Sequence, residues 1–110
     1  MKKLVGALSI AVFATSQTAF AEVSETQMRL CKDLADLART AATARQSGVP
    51  LAKMLNASTD LAPDAGTNEM FVGLLRLAYD QPKYSTEENK QIAITEFENN
   101  MLLGCLNSSG

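Results

Sequence analysis

The sequence predicts an all-α fold, a small bundle of three to four helices with one disulfide joining the first and last. Three observations carry this. Apolar residues recur at helical spacing in every long segment, no stretch of useful length alternates at the period of a strand, and Cys31 and Cys105 stand near opposite ends of the chain. The 110 residues give room for one small domain. A hydrophobic content of 46% suffices for its core although aromatics are only 5%. No internal repeat is present.

Residues 1–21 read as a secretory signal peptide. Lys2 and Lys3 make a basic start, an apolar run extends from Leu4 to about Ala14, and Ala19-Phe20-Ala21 is an A-x-A cleavage site that leaves Glu22 as the new N-terminus. Thr15, Ser16, Gln17 and Thr18 dilute the run below the ~20 apolar residues that a spanning helix needs. No cysteine directly follows the cleavage site, so a lipid anchor is not expected. The mature part, 22–110, is expected to be a single small helical domain, periplasmic or secreted and not membrane-spanning. Lys2 and Lys3 are two of ten basic side chains, so the mature part holds eight against twelve acidic ones, a net charge near −4.

In an oxidising compartment two cysteines have one possible pairing, Cys31 with Cys105. Closing a loop of roughly 75 residues stabilises a fold by about 4–5 kcal/mol in the chain-entropy treatment. A redox or metal role would call for C-x-x-C or histidine partners, and the chain has neither.

The first helix opens on a capping box, Ser24 with Gln27. Met28, Cys31, Leu34, Ala35, Ala38, Ala41 and Ala42 then follow helical spacing, widened by Leu30 and Leu37, until Gly48 and Pro50 stop it. Its alanine-rich second half leaves room for a neighbouring helix to approach closely. Pro50 serves as first residue of a short second helix with Leu51, Met54 and Leu55 on one side. The polar stretch from Ala57 to Gly66 reads as a loop. A third helix starts near Thr67 or Asn68 and runs to about Asp80, with Met70, Phe71, Leu74, Leu75, Leu77 and Ala78 apolar, and Pro82 ends it. The last helix opens on a second capping box, Ser85 with Glu88, and places Lys90, Ile94, Phe97, Met101 and Cys105 on one face. Leu102, Leu103 and Leu106 make its final turns apolar nearly all round, which predicts burial, and 107–110 is a frayed polar tail. The cysteine positions set the two long helices antiparallel, with the middle helices packed across the pair.

The composition narrows the chemistry. Absence of histidine removes the Ser-His and Cys-His pairs and imidazole zinc sites, and an acidic mature chain argues against nucleic acid. The loop carrying Asp60, Asp64 and Gly66 fails the EF-hand pattern, because counting from Asp60 puts Ala62, Ala65 and Phe71 at positions 3, 6 and 12. Asp33/Asp36, Glu87/Glu88 and Glu96/Glu98 fit helix solvation and helix-dipole effects. No catalytic residue, cofactor or metal is expected. Arg39, Arg45 and Arg76 are candidate anion contacts, since a guanidinium among apolar neighbours can bind a carboxylate or phosphate bidentately; laying the stem on the surface is the commoner use. Met70, Phe71, Leu74 and Leu75 are a candidate interaction surface, with plain core as the alternative. Tyr79 and Tyr84 flank Pro82, and Asn56-Ala57-Ser58 and Asn107-Ser108-Ser109 match the glycosylation sequon.

The pattern Cys31…Ala35…Ala38…Arg45-x-x-Gly48, followed by Leu77-Ala78-Tyr79 and Cys105, resembles uncharacterised small secreted proteins of proteobacteria. That resemblance implies a one-disulfide helical fold and supplies no catalytic residues. In size, compartment and single disulfide the chain is also similar to the periplasmic acid-stress chaperones of the HdeA type, by analogy alone. The expected function is non-enzymatic: a protein-interaction or acid- and envelope-stress module that meets another protein or unfolded clients. The alternatives are a small-ligand carrier, an enzyme inhibitor, or a structural accessory of an envelope complex.

Overall fold

A computed structural model describes residues 23–108; the predicted signal peptide lies outside them. Among the described residues there are four helices and no strand: α1 (Glu25–Gln46), α2 (Leu51–Leu61), α3 (Ala65–Tyr79) and α4 (Glu87–Ser108). The all-α prediction holds.

The start of α1 is the predicted capping box. Ser24 Oγ accepts from the Gln27 N–H at 3.1 Å, and Gln27 Oε1 accepts from the Ser24 N–H at 3.3 Å. At the other end Gly48 takes a φ of +82°, a conformation open to glycine at no steric cost. Pro50 then caps α2 from just outside it rather than serving as its first residue.

The predicted loop at 57–66 is mostly helical instead. α2 continues through Ser58, Thr59 and Asp60 to Leu61, and the connection shrinks to 62–64. Ser58 explains this: its hydroxyl donates to the Leu55 carbonyl at 2.8 Å and accepts from Asn68 Nδ2 at 3.2 Å, so a residue typical of turns is satisfied inside a helix. α3 starts earlier than predicted, at Ala65, because Asp64 caps it and takes the Thr67 N–H at 3.1 Å. In α4 the cap is Thr86, whose Oγ1 accepts from the Asn89 N–H at 3.2 Å; the Ser85–Glu88 box is not the starting motif.

Cys31 and Cys105 are bonded, with Cα atoms 5.5 Å apart, and set α1 and α4 side by side and antiparallel. α1 is the spine of the fold. α4 packs along it, α3 packs along it as well, and α2 packs on α3 rather than across the α1–α4 pair. Two helices fit on one because α1 offers alanines where they meet it: Ala35, Ala38, Ala41, Ala42 and Ala44 are all buried. The bulk comes from the other side, with Phe71, Leu74 and Leu75 of α3, Ile94 and Phe97 of α4, and Met54 of α2. Full burial of a Phe or Leu side chain contributes about 1.5–3 kcal/mol, so the large residues of α3 dominate the core. The last turns of α4 are not buried all round: Leu102 and Leu106 are half-buried and Leu103 is exposed, since α1 covers them from one side only. The helix also runs through Asn107 to Ser108, where a frayed tail was expected.

Candidate functional site

Because α3 and α4 lean on the same helix and touch each other little, a groove opens between them. It encloses about 360 Å³. Phe97, Ala93 and Met101 of α4 line it together with Leu77 of α3 and Tyr84 of the linker. Three large apolar side chains on this groove remain in contact with solvent: Leu77 at 49%, Ile92 at 50% and Tyr84 at 39% exposure. Its polar groups are the amides of Gln81, Asn89 and Asn100 and the carboxylate of Glu96.

The end of the groove is fixed by a polar clamp from the last turn of α1. Gln46 is only 3% exposed. Its Nε2 donates to the Pro82 carbonyl at 2.8 Å and its Oε1 accepts from the Tyr84 N–H at 2.9 Å. Lys90 Nζ donates to the Gln46 carbonyl at 3.0 Å, which ties in the first turn of α4. Arg45 Nε donates to the Gln81 carbonyl at 3.0 Å, with its guanidinium 5.6 Å from the centre of the Tyr79 ring. Tyr79 in turn donates its hydroxyl to the Val49 carbonyl at 2.6 Å. Burial pushes the Tyr79 phenol up from its ordinary value, and the positive charge of Arg45 opposes that rise. No buried side-chain nitrogen or oxygen among the described residues lacks a hydrogen-bond partner.

The three predicted anion contacts do not converge. Arg39 pairs with Glu98 of α4 at 2.7 Å, Arg45 belongs to the clamp, and Arg76 lies exposed on α3 beside a shallow depression shared with Gly73, Leu77 and Asp80. Of the predicted interaction surface, Phe71, Leu74 and Leu75 face the core and only Met70 reaches solvent. In the folded state Phe71, Leu74 and Leu75 are core, the alternative kept open for them, while Met70 and Leu77 stand exposed on the solvent side of α3. Sequence reasoning missed Ile92, Glu96 and the clamp residue Gln46. One signal was present for Ile92: it falls off the stripe formed by Ile94, Phe97, Met101 and Cys105, so it has no place against α1.

Known proteins give no guide to this site: no family model, curated protein or solved structure matches the chain.

Proposed function

We propose that the protein is a non-enzymatic periplasmic or secreted interaction module that receives an apolar segment of another protein between α3 and α4. The groove carries this reading. Single exposed apolar side chains are ordinary on any surface, whereas Leu77, Tyr84 and Ile92 converge on one concavity with a few polar groups between them. The compartment is supported by the signal-peptide pattern and the Cys31–Cys105 bond. No helix among the described residues is long and apolar enough to cross a membrane. The non-enzymatic part is supported by the absence of histidine and by the commitment of both cysteines to the disulfide.

An acid-stress form of this reading is favoured by two specific contacts. The Arg39–Glu98 pair between α1 and α4 joins a guanidinium to a carboxylate, and the Asp64 cap of α3 is stronger with its carboxyl ionised. Protonating the twelve acids takes the mature chain from about −4 towards +8. Self-repulsion then loosens the bundle while the disulfide limits its expansion. Phe71, Leu74 and Leu75, withheld in the folded state, become available to unfolded clients.

The experiment is a photo-crosslinking amino acid placed at Ile92, with Lys53 on α2 as the control position, irradiated in producing cells. Protein adducts are expected from position 92 and not from position 53. Equal labelling at both positions, or none at 92, overturns the assignment of the groove.

A further inference from the structure

The groove shows what kind of segment it is shaped to receive. Along it, α4 presents a second face that no other helix among the described residues covers, distinct from the face that meets α1. Asn89, Ile92, Ala93, Glu96 and Asn100 line this face at relative positions i, i+3, i+4, i+7 and i+11. These are the rows that make the ridges and grooves of helix-on-helix packing. A helix laid between α3 and α4 would meet these rows ridge to groove, with apolar side chains reaching Phe97 and Met101.

Charge narrows the occupant further. Glu96 is the one charged residue among those lining the groove, it is exposed, and it has no ion-pair partner among the described residues. No lysine or arginine among the described residues lines the groove. We infer that the occupant is a basic amphipathic helix, with apolar side chains at i, i+3 or i+4, and i+7 and a lysine or arginine placed to meet Glu96. This rests on the reading of the groove as an interaction site and gives the chemistry of the partner. The net negative charge of the domain draws such a helix in. It also disfavours acidic helices, including α4 of a second copy, whose exposed side carries Glu87, Glu88 and Glu96.

The test uses two fluorescently labelled peptides of about 18 residues, long enough to hold helical structure. They share one leucine face and differ only in carrying lysine or glutamate beside it. Each is titrated with the oxidised protein and followed by anisotropy at low and physiological salt. The lysine peptide is expected to bind, and Glu96→Gln to weaken it about two- to fivefold, the range of an exposed ion pair. Asp60→Asn, which removes one acid from α2 away from the groove, is expected to leave binding unchanged, and Ile92→Asp to abolish it. Equal weakening by Glu96→Gln and Asp60→Asn overturns the role of Glu96, since net charge alone then explains the binding. Equal affinity for both peptides, with loss in Ile92→Asp, overturns the basic character of the partner and leaves the groove an interaction site. Failure of both peptides overturns the helical occupant, while crosslinking from position 92 decides the broader reading separately.

Discussion

Replacing Gln46 with methionine tests the clamp that holds the groove's end. Methionine keeps the length and apolar stem of glutamine and removes both side-chain hydrogen bonds, to the Pro82 carbonyl and from the Tyr84 N–H. Each such bond contributes a net 0.5–1.5 kcal/mol or so, more where the partner stays buried. Pro82 and Tyr84 lie in an exposed linker and water can reach them, so the expected loss is about 2 kcal/mol in total rather than the full desolvation penalty. For a domain of this size that lowers Tm by roughly 8–16 °C. Chemical denaturation gives the energy, and limited trypsin digestion gives the location, because Lys83 sits within the clamped linker. Cleavage after Lys83 is expected to accelerate more than cleavage elsewhere. A variant within about 0.5 kcal/mol of the parent, the scatter of ordinary surface substitutions, with unchanged cleavage at Lys83, would refute the reasoning and leave Gln46 as a bystander.

Two further outcomes follow from contacts elsewhere. Removing the disulfide with Cys31→Ala and Cys105→Ala opens a loop with a sequence separation of 74 and is expected to cost about 4–5 kcal/mol; equal denaturation midpoints for the two forms would contradict this. For pH, the Thr67 backbone N–H and then its hydroxyl hold Asp64 below its ordinary carboxylate value. A group lowered in this way stabilises the fold above its unfolded pKa and loses that contribution as pH falls through its folded pKa. The stability difference between the parent and Asp64→Ala is therefore expected to be full at neutral pH and to shrink through the acid carboxylate range. Apolar-dye binding should rise over the same acid range if acid loosens the bundle, and flat dye binding down to pH 2 would count against the acid-stress form of the function.

The parts of this fold that were legible in the sequence are those set by neighbours along the chain. Ser24 and Gln27 cap each other three residues apart, and Gly48 with Pro50 ends α1, so a local reading finds them. The cysteine pair needed only a count. Local chemistry misled where one residue type has two uses. Ser58 reads as a turn former until its bond back to the Leu55 carbonyl is known, and Ser85 and Thr86 are equally good caps until the phase of α4 selects the second. The site was not legible, because it exists through an absence of packing between α3 and α4. The sequence shows that α3 and α4 each have an apolar stripe, but not that both stripes are spent on α1. Gln46 hid for a related reason: an amide in the last turn of a helix ordinarily faces water, and only the returning linker buries it.

The covalent bond between Cys31 and Cys105 also settles how the molecule carries tension. A pull applied at Ser24 and Ser108 enters α1 and α4 within a few residues of the two sulfurs and crosses directly from one helix to the other. The spine beyond Cys31, both middle helices, the clamp and nearly all of α4 lie inside the closed loop, where no load reaches them. Under oxidising conditions a force that would strip a linear domain apart turn by turn extends only the short ends. The groove therefore keeps its shape on a protein tethered or tugged by its termini, a useful property for the interaction proposed for it.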